Sequence, residues 1–280
     1  MGKYWIMKIG IFARTYQKKN YQDVFTAIKE DDISIIHFDF STMGLDSMPN
    51  SIEENIISNL KMSLKENKIE IISLSATFNI IHPDLSTRDN YFQRFITLAK
   101  YAKEINTKIL TLCTGTKDPL NKWKYHPKND ALETWDDFIK SMSKLLIVAE
   151  KHDLKLGIEP EINNVVSSPI RALKAIRELR NPRLGIIMDG ANLFHPNEIS
   201  NMDSVLSQAF DLLSPFILLA HAKDIKNANP IEYCAAGQGV LNFPFYVQLL
   251  KKSNYQGPII LHGLKESEVQ NSKAFLESII

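Results

Sequence analysis

The stretch Lys155-Leu156-Gly157-Ile158-Glu159-Pro160-Glu161, near the middle of the chain, decides the fold. It reads as a short buried strand that ends in two carboxylates, Glu159 and Glu161. Side chains alternate along a strand, so both acids point to one side and Pro160 to the other. Acids at the end of an apolar run cost free energy unless a metal, a basic partner or a substrate uses them. Three later runs end the same way: LGIIMD at Asp189, FILLAH at His221 and PIILH at His262. Each places a metal-competent group at the C-terminal end of an apolar strand. Four such ends converging on one point would make a site.

The rest of the chain repeats that unit. Strands are expected at Lys8–Ala13, Ile35–Phe40, Glu70–Phe78 and Lys108–Cys113 before the central one, and at Leu184–Asp189, Phe216–His221 and Pro258–His262 after it. Helical stripes separate them. Tyr21–Glu30 is the first, and Ser51 to Glu54 reads as a capping box opening the second. Thr87–Asn106 and Leu132–Lys151 follow, and Ser168-Pro169 supplies a cap and a first-turn proline for the next. Asp203–Leu213, Phe243–Ser253 and Ser272–Ile280 complete the set, with a glycine-containing loop, AAGQG, before the helix at Phe243. The strands are continuous apolar runs, the mark of a parallel sheet covered on both faces. Eight βα units in roughly 250 residues is the count for a closed (β/α)8 TIM barrel. No G-x-G-x-x-G or Walker loop follows any strand, which disfavours an open doubly wound sheet. No linker or composition shift divides residues 1–280, so one domain is expected.

Composition narrows the function. The 280 residues are 44% hydrophobic and 23% charged, ordinary for a soluble protein. Basic and acidic residues number 33 and 32, a net charge of +1, which gives no footprint for nucleic acid or an anionic membrane. Cys113 and Cys234 stand far apart in no metal or redox spacing, which fits a reducing compartment. The start, MGKYWIMKIGIF, is too short an apolar stretch for a secretory signal or a span, so a cytoplasmic location is expected. The oligomeric state stays open, a homo-oligomer included.

In a barrel the chemistry sits at the C-terminal strand ends, where Glu159, Asp189, His221 and His262 all fall. Two carboxylates with two imidazoles suit one divalent cation, with Mn²⁺, Zn²⁺ or Co²⁺ preferred over oxygen-loving Mg²⁺. From KIGIFA to GPIILHGL, and most specifically in GIEPE, MDGANLF, AHAKD with AAGQG, and YQGPIILHG, the chain resembles the xylose isomerase-like TIM barrels of the sugar phosphate isomerase/epimerase superfamily. The resemblance implies that Glu159, Asp189 and His221 bind one divalent metal. It also implies a fourth ligand at the end of strand eight, where relatives carry Glu and this chain has His262. Many relatives carry His three residues after the strand-six Asp, where this chain has Asn192. The two glutamates of the epimerases act as paired acid/base groups, so the exchange to His262 bears on that mechanism too.

Further candidates surround these. Glu161 shares the face of Glu159 and is a candidate proton carrier, as is His262. Lys223 shares the side of His221 and is a candidate to reach a substrate oxygen. His82, just past strand three, is a candidate substrate contact. Trp123 and His126 lie in the long loop from Lys117 to Asp130, which reads as a lid. Gln238 lies between glycines that permit close approach to a ligand. His37 and His195 have no comparable context, His152 reads as a helix-end charge partner, and Cys113 as a buried apolar residue.

The expected activity is isomerisation or epimerisation of a small polyhydroxy carbonyl compound, a sugar, keto-sugar or sugar phosphate, through an enediolate. A metal-assisted lyase or dehydratase on a keto-sugar or inositol derivative begins with the same enolisation and is the alternative. The DNA-repair nucleases of this barrel type carry more histidines at their strand ends. A barrel that binds sugar or metal without turning it over is the non-enzymatic reading.

Overall fold

A computed structural model describes residues 7–228 and 230–280, and the start of the chain that bears on targeting lies outside them. Nine short strands form: β1 (Ile9–Phe12), β2 (Ile35–Phe38), β3 (Glu70–Ser75), β4 (Ile109–Cys113), β5 (Lys155–Glu159), β6 (Leu184–Asp189), β7 (Ile217–Ala228), β8 (Ile231–Ala235) and β9 (Ile259–Leu261). All but β8 pair in parallel around a ring that closes through β6 and β7, giving a (β/α)8 barrel. The neighbours β5, β6, β7 and β9 form an unbroken arc of that ring. The four chemically endowed strand ends therefore share one side of the mouth.

Helices α1 (Tyr21–Glu30), α2 (Glu54–Asn67), α3 (Leu85–Ala102), α4 (Leu132–Lys151), α5 (Pro169–Leu179), α6 (Met202–Leu213), α7 (Phe243–Lys252) and α8 (Val269–Glu277) surround it. Their apolar stripes and the outward faces of the strands make one core, with Phe25, Phe95, Phe138 and Leu206 fully buried. Burying such side chains stabilises by about 1.5–3 kcal/mol each. No helix among the described residues is long and apolar enough to cross a membrane.

The inward faces are filled separately. Ile35, Ile187, Leu219 and Ile260 make a small cluster of their own. Each stands two residues before a polar residue on its strand: His37, Asp189, His221 and His262. By strand alternation this cluster is the layer directly beneath those groups. Gly157, two before Glu159, makes room for it, since a Cβ there would stand 2.3 Å from Ile187 Cδ1.

Three local expectations change. The capping box at Ser51–Glu54 does not form: α2 begins at Glu54 after an uncapped Glu53. Ile52 is drawn into the core instead, and its carbonyl accepts a hydrogen bond from Tyr101 Oη at 2.8 Å, which keeps that segment extended. Helix α3 starts earlier than Thr87, because the Asp84 side chain caps it by accepting from Thr87 N. Finally, β7 runs on past His221, its expected end, to Ala228 and folds back through antiparallel β8, a hairpin that precedes the expected AAGQG loop. Asp224 anchors that hairpin: its carboxylate accepts from the backbone N–H groups of Ile225, Gly237, Gly239 and Leu241 at 2.7–3.0 Å. Gly239 must be glycine there, since a Cβ would stand 2.4 Å from Asp224 Oδ1.

Candidate active site

Glu159 ends β5 and Asp189 ends β6, His221 pairs in register with Asp189 on β7, and His262 follows β9 directly. One ligand atom each from Asp189, His221 and His262 lies within 4.8 Å of the others. His221 Nδ1 is 3.5 Å from Glu159 Oε1 and 3.9 Å from Asp189 Oδ2, and His262 Nδ1 is 3.8 Å from the same Asp189 oxygen. Among the described residues, Asp189 Oδ2, both ring nitrogens of His221 and Nδ1 of His262 are buried without a hydrogen-bond partner. Each such orphan costs about 1–3 kcal/mol. Ligands about 2.1 Å from a zinc-sized ion stand roughly 3.4 Å apart in a tetrahedron. The donor set and its spacing fit a divalent cation, with Asp189, His221, His262 and Glu159 as the residues able to hold it.

The electrostatics follow from burial. Desolvation opposes the charge on Asp189, but the Lys223 ammonium, His262 and His221 outweigh it and hold the carboxyl well below its usual range. Burial lowers the His262 imidazole, with Asp189 opposing. Burial pushes Glu161 up to about 7, despite the opposing Lys223 charge.

Asn192 ties the arc together. Its Nδ2 donates to Glu159 Oε1 at 2.7 Å, and its Oδ1 accepts from Lys223 Nζ. Lys223 is buried, 3.4 Å from Asp189 Oδ2, and sits 3.8 Å over the Tyr233 ring. The ring of Tyr233 on β8 thus covers a buried ammonium held between the Asp189 carboxylate and the Asn192 amide oxygen, a cation–π contact.

A cavity of about 680 Å³ opens above these groups and is lined by Glu159, Glu161, Asn192, His221, Lys223 and His262. Trp123 is also on its wall. Asp189, 1% exposed, lies beneath. His82 and His126 are not on this wall. The His82 ring donates from Nε2 to the Pro119 carbonyl and accepts at Nδ1 from Asp84 N, each at 3.1 Å. His126 accepts at Nδ1 from Lys128 N at 3.1 Å, capping the turn Pro127–Asp130. Both rings are used locally as loop braces. Gln238 faces a second cavity, of about 520 Å³, whose walls include Phe12, Arg14, Tyr233 and His262 as do those of the first.

The long loop after β4 is built on buried amides. Asn129 Oδ1 accepts from Lys117 N at 2.8 Å, and Asn129 Nδ2 donates to the Asn163 carbonyl at 3.0 Å. Asn164 Nδ2 donates to the Lys122 carbonyl, and Lys122 Nζ to the Thr77 carbonyl. These bonds fix the base of the loop and hold Trp123 at the cavity edge, where it is 45% exposed.

Sequence reasoning passed over His37, Phe12, Arg14 and Tyr233, all on the cavity wall. His37 lay inside its expected strand, with Phe38 to Phe40 after it, and so lacked the strand-end position that marked His221. Its Nδ1 pairs with Ser73 Oγ at 2.6 Å, and burial keeps the ring well below its ordinary pKa. Tyr233 had no signal, because the hairpin that carries it was invisible. His152, at the end of α4, is lowered by burial and the Lys151 charge, so it is a weaker helix-end cation than expected.

Solved structures share this fold over nearly the whole chain. A 3-keto-D-glucoside 4-epimerase, YcjR, from E. coli superimposes with a TM-score of 0.74 at 19% identity, covering 98% of this chain and 100% of that one. The probable 3-DHS dehydratase AsbF from Bacillus anthracis gives 0.75 at 15% identity, over 97% and 99%. An IolI protein with a bound zinc atom gives 0.73 at 13%, over 98% of both chains. No curated protein matches the chain in sequence. Residues 25–279, however, match the family described as the xylose isomerase-like TIM barrel, and to that family the chain belongs.

Proposed function

We propose that the protein is a divalent-metal-dependent isomerase or epimerase of a small polyhydroxy carbonyl compound. The observation that carries this reading is the set of buried, unpartnered atoms on Asp189, His221 and His262 at the floor of a cavity large enough for a sugar. Two nitrogens and carboxylate oxygens favour Zn²⁺, Mn²⁺ or Co²⁺ over Mg²⁺. When bound, the ion supplies Lewis-acid stabilisation of negative charge on a substrate oxygen. Glu159 takes the proton from the carbon between carbonyl and hydroxyl, and Asn192 orients it through Oε1. Lys223 and Asn192 hold the substrate oxygens, Glu161 serves as a second proton carrier on the same wall, and Trp123 covers the sugar's apolar face. The dry floor excludes water from the reacting carbons.

A lyase or dehydratase is the second reading, favoured by one feature. Glu159 ends β5 and Glu161 follows two residues later on the same cavity wall, whereas His262 stands just after β9. A single-sided carboxylate pair suits proton transfer on one face of a substrate, as a syn elimination needs, better than the inversion of a stereocentre that epimerisation needs.

Metal-loaded protein incubated in deuterated water with ketoses, keto-sugars and their phosphates tests this directly. Deuterium is expected at the carbon beside one substrate's carbonyl. Glu159→Gln should lower that exchange by about 10²-fold or more, with bound metal measured alongside. No exchange into any member of the panel by metal-replete protein rejects the reading.

A further inference from the structure

The second cavity is not needed to explain the reacting end of a substrate, yet it opens from the same walls. It shares Phe12, Arg14, Tyr233 and His262 with the first cavity, and it reaches on to the far side of His262. The two differ in the balance of charge. The main cavity and its floor bear four acids, Asp39, Glu159, Glu161 and Asp189, against the cations Arg14, Lys122 and Lys223. The second is lined by three cations, Arg14, Lys226 and Lys265, against one acid, Glu268. That acid is already engaged, with Oε2 accepting from Lys265 N at 2.7 Å.

The three cations come from separate elements: the turn after β1, the extension of β7, and the loop after β9. Among the described residues none forms an ion pair with a carboxylate, whereas Lys18, nearby in sequence to Arg14, pairs with Glu266. The Arg14 guanidinium lies 4.7 Å over the Phe12 ring, and among the described residues no side-chain hydrogen bond uses its N–H fork. Thr15 and Gln238 add a hydroxyl and an amide to the same wall. Three like charges gathered from a turn, a strand extension and a loop repel one another, so a structure that keeps them around a hollow with a single acid is arranged for an anion.

We infer that this second cavity binds an anionic substituent of the substrate, a phosphate or carboxylate group at the end remote from the reacting carbons. This rests on the metal-dependent reading above and narrows its substrate class to an acidic or phosphorylated sugar derivative. The chain of the substrate runs from the Asp189–His221–His262 group past Phe12 and Tyr233 into the basic chamber. Gln238 then contacts the anionic end and not the carbonyl.

Binding, not turnover, tests the site. Metal-free protein is titrated calorimetrically with glycerol 3-phosphate, glycerate and uncharged glycerol. The same titrations are run on an Arg14→Ala/Lys226→Ala/Lys265→Ala variant and on Lys122→Ala, a change in the main cavity. One of the two anions should bind at least about tenfold tighter than glycerol, the advantage expected of a few charge-assisted contacts, and which one wins separates phosphate from carboxylate. The triple variant should bind that anion no better than glycerol, while Lys122→Ala keeps the preference. Lys226→Gln and Lys265→Gln, both at exposed positions, read the same loss in steps of about threefold should the triple variant fail to fold. Equal binding of anions and glycerol by wild type, or an undiminished preference in the basic-residue variants, overturns the inference. Because no metal or reaction is involved, that failure is separate from absent deuterium exchange, which would reject the reaction and leave this titration standing.

Discussion

His262 stands where the family resemblance implies a glutamate, and its role has a direct test. Its Nδ1 is buried, unpartnered and 3.8 Å from Asp189 Oδ2. As a ligand it should matter more than a group that merely orients one, and such orienting partners are already worth about 10- to 100-fold in affinity. His262→Ala should therefore weaken zinc binding by about 10²-fold or more in a chelator competition. His262→Glu should keep a site whose preference moves toward Mg²⁺ or Mn²⁺, since oxygen replaces nitrogen. Zinc affinity unchanged in His262→Ala would remove it from the ligand set. Glu159, Asp189, His221 and His262 were all legible in the sequence because the barrel rule ties chemistry to strand ends. His37, inside its expected strand, did not match that rule and was passed over. His82 and His126 fall off the main cavity wall, where their rings brace backbone amides, a use that a loop histidine beside a proline serves as readily as substrate contact.

At the scale of elements, the loop ends are clamped to the helices by charge. Asp137 on α4 accepts from Arg88 on α3 and from Lys117 in the long loop, at 3.0 and 2.6 Å from its Oδ2. Arg88 in turn donates to the His82 carbonyl. Burial alone would raise the Asp137 carboxyl, but Arg88 and Lys117 outweigh it and hold it below its ordinary value. A depressed folded pKa gives stability that is complete above the unfolded value near 4 and is lost as pH falls through the lower folded value. Asp137→Asn should therefore cost about 1–2 kcal/mol in urea unfolding at pH 7, and the gap to wild type should narrow toward pH 3. A gap that holds constant across that range would show that Asp137 contributes without its charge, against the pairing with Arg88 and Lys117. The barrel strands and most helix spans were legible because each is an apolar run or stripe of ordinary length. The β7–β8 hairpin was not. Its exposed Glu232 and Tyr233 break the apolar run that marked every other strand, and Asp224, which ties it down, looks in sequence like one more polar residue after a motif.

For the whole molecule, the metal should act as a stabiliser. Strand ends from β5 to β9 meet at the candidate ligands, so an ion there joins segments spanning Glu159 to His262. At a free zinc concentration of about 100 times Kd, mass action adds about 2.7 kcal/mol. For a chain of 280 residues that corresponds to a Tm increase of about 4–5 °C. The increase should vanish in Asp189→Ala, and an equal rise in that variant would place the ion elsewhere. The closed barrel makes such joining effective, since none of its eight parallel strands has a free edge among the described residues. Its inner layer of Ile35, Ile187, Leu219 and Ile260 has a further consequence. Three of those four side chains are fully sealed from solvent and the fourth nearly so, which closes the catalytic chamber from below. Water then reaches the reacting carbons only from the mouth side, where the second cavity also opens. A hydrogen lifted from a bound substrate should therefore exchange with bulk water in competition with its own return, so that deuterium enters alongside retained hydrogen.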